Sequence, residues 1–190
     1  MLRELMLKNR SYRRFDESIH LSIQELESFV ELARVSPSAR NMQPLKYILS
    51  CEKENNDKIF PMLAWAGYLK DWPGPMEGER PSAYIIMLGD SRISPAFSAD
   101  PGISAQSILL GAVEKGFGGC LIGTVKKEDL KKSFGIPDPL EVLYVIALGK
   151  PIEVVVLEPL PTNGDVRYWR DEKKVHHVPK RQLEDLILEI

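Results

Sequence analysis

The chain has 190 residues, 44% hydrophobic and 27% charged, with a net charge of −2. That length suits one domain, residues 1–190, with a substantial core. The near-neutral charge excludes a general nucleic-acid binder, whose phosphate contacts call for a basic surface. The two cysteines, Cys51 and Cys120, make neither a disulfide framework nor a metal-type spacing. No apolar run reaches the ~18 residues of a membrane span, and Met1 to Leu5 lacks the apolar core of a signal peptide. A reducing, cytoplasmic setting is expected.

Residues 2–8 read as a helix with Leu2, Leu5 and Met6 on one face. A polar loop follows, Asn9-Arg10-Ser11-Tyr12-Arg13-Arg14-Phe15, which clusters three cations with a hydroxyl. Arginine's planar fork donates paired hydrogen bonds to phosphate oxygens. One turn can aim Arg10, Ser11 and Arg13 at a single anion. The alternative is a solvated basic run beside a helix end. Ser22-Ile23-Gln24-Glu25 is a capping box, and Leu26, Phe29, Val30 and Ala33 follow at helical spacing. Ser36-Pro37 ends that helix. The second polar loop, Ser36-Pro37-Ser38-Ala39-Arg40-Asn41-Met42-Gln43-Pro44, offers small residues and two carboxamides. Asn41 and Gln43 carry donors and acceptors suited to the edge of a planar heterocycle; the alternative is a turn that closes the preceding helix.

Residues 45–51 read as a strand and Asp57–Ala64 as a helix. Residues 65–82 carry Trp65, Trp72, three glycines and three prolines and read as a loop, its tryptophans either lining a cavity or packing on the core. Tyr84–Gly89 is a continuous apolar run typical of a buried strand, and 101–116 is a helix apolar on more than one face, hence buried. Gly116 to Gly123 looks like a nucleotide-binding glycine loop but follows a helix, which fails the dinucleotide pattern. Its glycines are expected to allow close backbone approach to a flat ring. Lys127–Phe134 reads as a short helix ended by Gly135 and Pro137, and Leu143–Gly149 as a second buried strand. Residues 152–170 show no strong periodicity, and Asp165, Arg167 and Trp169-Arg170 are left without a role. Lys180-Arg181 precedes an apolar-polar tail, Leu183–Ile190, expected to form a short terminal helix. Cys120 has no basic or histidine neighbour to activate it, and adjacent His176-His177 make a poor metal pair.

The ordered set Arg10-Ser11-Tyr12-Arg13-Arg14-Phe15, Pro37-Ser38-Ala39-Arg40-Asn41-Met42-Gln43-Pro44, Gly116-Phe117-Gly118-Gly119-Cys120-Leu121-Ile122-Gly123 and Lys180-Arg181 resembles the nitroreductase-like FMN-dependent oxidoreductases. The resemblance runs from about residue 8 to the end. It implies an α+β fold, with a central mixed sheet surrounded by helices in an intertwined homodimer and helix 101–116 at the interface. It implies FMN as cofactor. Arg10, Ser11 and Arg13 would serve the phosphate and ribityl end, joined by Lys180 and Arg181. Pro37 and Ser38 would lie against the ring or ribityl chain, and Asn41 and Gln43 would meet the pyrimidine edge. Backbone groups of Leu121, Ile122 and Gly123 would lie near the reactive edge. The implied activity is ping-pong hydride transfer from NADH or NADPH to a nitroaromatic, quinone or similar acceptor. The flavin carries that chemistry, so no catalytic side chain is named. Two alternatives stay open: another flavin enzyme on the same scaffold (a dehydrogenase, reductive dehalogenase or flavin-consuming enzyme) and a non-enzymatic flavin-binding protein. Arg14 and Arg40 are left unassigned.

Overall fold

An uninterrupted apolar strand organises the core. In the computed structural model, which describes residues 1–189, β3 (Ala83–Asp90) is buried at all eight positions. Side chains alternate between faces along a strand, and both faces of β3 are covered. Ala83, Ile85 and Met87 pack with Leu26, Phe29, Ile108 and Leu109, whereas Tyr84, Ile86 and Leu88 pack with Ile59, Leu63, Trp65, Leu130 and Ile136. The first group comes from α2 (Ile23–Arg34) and α4 (Asp100–Glu114). The second comes largely from α3 (Lys53–Ile59), α5 (Lys127–Phe134) and their flanks. Each large side chain buried this way contributes roughly 1.5–3 kcal/mol.

β3 lies between β2 (Leu45–Ser50) and β5 (Leu140–Pro151), and β5 also pairs with β4 (Gly118–Ile122) and, at its far end, with β1 (Phe15–Asp16). Each of these ladders is antiparallel. The expected mixed central sheet is therefore corrected among the described residues. The chain leaves β3 through α4 and enters β4 in the same direction, but β5 inserts between the two. Among the described residues, the only parallel element against this sheet is a single bridge, Ser11 to Gly119.

The capping box forms as read: Ser22 Oγ accepts from the Glu25 amide, and the Glu25 carboxylate accepts from the Ser22 amide. Helix α1 spans Leu2–Lys8 as expected, and Gly135, at φ 59°, closes α5 in the left-handed conformation. Three expectations shift. The helix read at 57–64 begins at Lys53, where Glu52 takes the cap position, and Pro61 converts its end to a 3-10 turn over Phe60–Met62. The stretch 152–170 carries strands β6 (Val155–Pro159) and β7 (Trp169–Arg170), which join β8 (His176–Lys180) in a small separate sheet, β6 parallel and β7 antiparallel to β8. These strands are too short and too exposed to show a period. The terminal helix does not form: 184–186 is an isolated turn with Leu183, Leu186, Ile187 and Leu188 exposed, and Ile190 lies outside the described residues. Too few residues with no packed face cannot hold a helix in water. No helix among the described residues is long and apolar enough to cross a membrane.

Candidate functional site

The first polar loop runs beside β4. The bridge from Ser11 to Gly119 and the bond from the Tyr12 amide to the Gly119 carbonyl, at 3.0 Å, hold it there. Gly118 leaves room for that approach, because a Cβ there would collide with the Tyr12 ring, whereas a Cβ at Gly119 would collide with the Ala147 carbonyl oxygen and the side chains of Leu109 and Leu148 behind it. A cavity of about 260 Å³ opens over the loop, lined by Asn9, Arg10, Ser11, Arg13, by Val155, His176, Val178 and Lys180 of the small sheet, and by Tyr168 just before β7. Three cations and a hydroxyl converge on it, and none of its lining residues is a carboxylate. Arg10 Nη2 donates to the Met6 carbonyl at 2.6 Å, while its buried Nε–H has no acceptor. Arg14 turns away. Its guanidinium makes a two-pronged pair with Glu79 (2.8 and 2.6 Å), and that hydrogen bonding, against some burial, holds the arginine above its ordinary value and the carboxylate below its own. Its charge ties the N-terminal loop to the 65–82 segment.

Arg13 also borders a second cavity of about 140 Å³, lined by Ala64, Trp65, Ala66, Gly67, Cys120, Leu121, Ile122, Gly123 and Thr124. Backbone bonds from Ala64 to Thr124 and from Lys126 to Met62 hold its two walls together. Leu121, Ile122 and Gly123 are thus in the cavity wall. The glycines before them are not open to a ligand: a side chain at Gly118 would strike Tyr12 and Pro151, and Gly119 is closed by β5. The expectation that these glycines admit a flat ring is therefore corrected: Gly118–Ile122 is a strand whose glycines pack against the protein's own atoms, with Cys120–Gly123 at the cavity. Burial pushes the Cys120 thiol up, leaving it neutral near pH 7. Trp65 lines this cavity and packs on Phe60, with ring centroids 5.9 Å apart, whereas Trp72 lies under the Arg170 guanidinium at 4.5 Å.

The second polar loop is placed elsewhere. Pro37, Ser38 and Gln43 line a different cavity, of about 400 Å³, with residues of α2, β2 and α4. Ser38 Oγ donates to Asp100 at 2.5 Å, the Ala39 amide donates to the same carboxylate at 2.9 Å, and the Gln43 amide donates to Ser38 Oγ. These bonds hold Arg40, Asn41 and Gln43 at φ 52°, 55° and 52°. Such left-handed conformations cost energy in residues other than glycine and persist where surrounding bonds enforce them. Asn41 and Arg40 are exposed and line no cavity described here. The two polar loops therefore do not meet within one chain. Arg181 is exposed and outside the Arg10–Lys180 cavity.

Several residues that build the site gave no sequence signal. Glu153, with its side chain 0% exposed, accepts from the Arg13 amide at 2.8 Å and from Arg170 Nη2 at 2.6 Å. Tyr168 lies under the Arg13 guanidinium at 5.0 Å and near the Tyr68 ring at 4.9 Å. His176 has Nε2 3.5 Å from Arg13 Nη1. Burial, then the positive charges of Arg13 and Arg170, push the His176 imidazole down to about 4, so it is neutral near pH 7, with Nε2 the acceptor in this network. His177 points away to Glu158 and Asp171. Burial lowers its pKa, but the hydrogen bond to Glu158 and the neighbouring Asp171 carboxylate outweigh that and raise it overall. A lone Glu in an aperiodic stretch and an adjacent histidine pair reveal such contacts only once the small sheet is folded onto the loop.

The profile of the nitroreductase family matches residues 6–150. An Archaeoglobus fulgidus protein, provisionally named an NADH dehydrogenase/NAD(P)H nitroreductase, is 25% identical over 156 residues, covering 78% of this chain and 84% of that one. A provisionally named NAD(P)H nitroreductase, YodC of Bacillus subtilis, is 25% identical over 78% of this chain and 89% of its own. Among solved structures, a nitroreductase of provisional name in complex with FMN from Exiguobacterium sibiricum superposes with a TM-score of 0.67 at 20% identity, over 80% of this chain and 89% of that chain. A Clostridium novyi nitroreductase family protein gives 0.64 at 22% identity, over 80% and 86%. The α+β fold is theirs, and with a profile match over most of its length this chain belongs to the nitroreductase family.

Proposed function

We propose that the protein is an FMN-dependent oxidoreductase that takes hydride from NADH or NADPH and passes it to a small oxidised acceptor such as a nitroaromatic or quinone. The observation that carries this reading is the pair of adjoining cavities sharing Arg13. One is lined by Arg10, Ser11, Arg13 and Lys180, the other by Leu121, Ile122 and Gly123. The residues fit a flavin mononucleotide. The carboxylate-free cationic cavity suits a phosphate of charge about −1.5 to −2, and the buried, unpartnered Arg10 Nε–H is a donor in want of an acceptor. A bound flavin would supply the two-electron chemistry.

The chain's own part is to bind and orient. Arg10, Arg13 and Lys180 hold the anionic end, Ser11 adds a hydroxyl, and the backbone of Leu121–Gly123 sets the second cavity's floor. Trp65, Ala66 and Ile122 add side chains to the same cavity's lining. Because the carboxamides of Asn41 and Gln43 lie away from these cavities, the reading includes a homodimer in which one copy's loop meets the other's Arg13 cavity. The test is a visible spectrum of the purified protein before and after NADH or NADPH. A yellow protein that bleaches and recovers in air is expected. A colourless protein that also ignores added FMN would overturn the proposal.

A further inference from the structure

The family match ends at residue 150, yet residues 153–180 supply much of the cationic cavity's wall. At the centre of that addition is a carboxylate with no solvent contact. Glu153 spends one oxygen on the Arg13 backbone amide and the other on Arg170. Arg170 is 13% exposed and rests on Trp72 of the 65–82 segment. Beside it, His176 Nε2 and the Tyr168 face flank the Arg13 guanidinium. An arginine side chain is long and rotamer-rich, so its freedom must be removed before it can act as a preformed fork. Here its backbone is pinned by Glu153 and its head is seated by the rings of Tyr168, next to β7, and His176 of β8.

We propose that Glu153 is a positioning residue for Arg13. Its buried carboxylate locks the small C-terminal sheet onto the Asn9–Phe15 loop and so presents the Arg13 guanidinium, already oriented, to the phosphate of the ligand. This rests on the flavin reading above. Glu153 lines neither cavity; it contacts Arg13 and Arg170 and lies 3.7 Å from His176 Nδ1, and it acts through them.

The experiment compares Kd for FMN and for riboflavin, which lacks the phosphate, by flavin fluorescence quenching. The proteins are wild type, Glu153→Gln, Arg13→Ala and the double variant. Glu153→Gln is expected to weaken FMN roughly tenfold, the scale of one charge-assisted hydrogen bond, with riboflavin unchanged within about twofold on the same scale. The double variant should bind FMN no more weakly than Arg13→Ala alone, because the two residues act as one unit. Removing one partner of a buried ion pair can unfold a protein. Glu153→Gln with Arg170→Gln, which leaves no unpaired buried charge, reads the same ratio if the single variant fails to fold. Equal weakening of FMN and riboflavin, or additive losses in the double variant, would overturn the inference while leaving the flavin reading intact. A wild type that binds neither flavin, or both alike, would remove the phosphate assignment and this inference with it.

Discussion

Arg13 is the residue on which most of the candidate site turns. It borders both cavities, and Arg10 and Lys180 share only the first. Replacing Arg10 and Arg13 together with alanine removes two charged donors worth roughly 1.5–3 kcal/mol each. FMN affinity should fall by about 100-fold or more, with the far-UV circular dichroism spectrum unchanged; full flavin occupancy in that variant would refute the phosphate assignment. Cys120→Ala should keep flavin and turnover, since the thiol is buried and neutral. His176 makes the pH dependence testable. Its folded pKa, about 4, lies below the ordinary 6.5. Between those values the unfolded chain binds more protons, so stability is full above about 6.5 and falls as pH drops toward 4. The loss is on the order of 2–3 kcal/mol. His177, shifted the other way, gives stability that is present below 6.5 and lost as pH rises through its raised folded value. Urea unfolding at pH 7 and pH 5 should show His176→Gln losing less stability on acidification than wild type.

At the scale of elements, two positions separate structural need from ligand need. A methyl at Gly119 meets a backbone carbonyl on β5, which cannot move aside, whereas one at Gly123 meets Tyr144 at an ordinary 3.5 Å. Gly119→Ala should cost about 1–3 kcal/mol, seen as a lowered Tm, and Gly123→Ala should melt like wild type. The capping box of α2 satisfies two end amides. Losing it through Ser22→Ala should cost ~1 kcal/mol and lower Tm by about 2–4 °C. These elements were legible because their signals are local. The Ser22-x-x-Glu25 box, the apolar run of β3 and the Gly135 stop each state their structure within a few residues. The strands β6 and β7 were not, because they are two to five residues long and pair only with β8.

Across the whole molecule, the separation of the two polar loops is the feature with most consequence. A homodimer with the Pro37–Pro44 loop acting between copies makes a sharp prediction. Arg10→Ala/Arg13→Ala chains and Asn41→Ala/Gln43→Ala chains should each bind flavin poorly alone. Co-expressed, they should regain binding at about half the sites of each mixed dimer, because one of two sites then carries a complete set. A loop serving its own chain would regain none.

The helical spacings, the capping box and the two buried strands were enough to read an α+β class, and the ordered Arg10-Ser11-x-Arg13, Pro37–Pro44 and Gly116–Gly123 segments resembled the family closely enough to identify it, because each signal depends on neighbours in sequence; the antiparallel pairing of the central sheet was not legible. Tertiary structure decided the rest. It sent Arg14 to Glu79 and closed Gly118 and Gly119 against the protein's own atoms. It moved Asn41 and Gln43 away from Arg13, and it brought Glu153, Tyr168, Arg170 and His176 around that arginine. Those contacts join residues separated by as many as 163 positions. A partner that distant leaves no periodic trace in the chain, and only the packing of one sheet on another loop selects it.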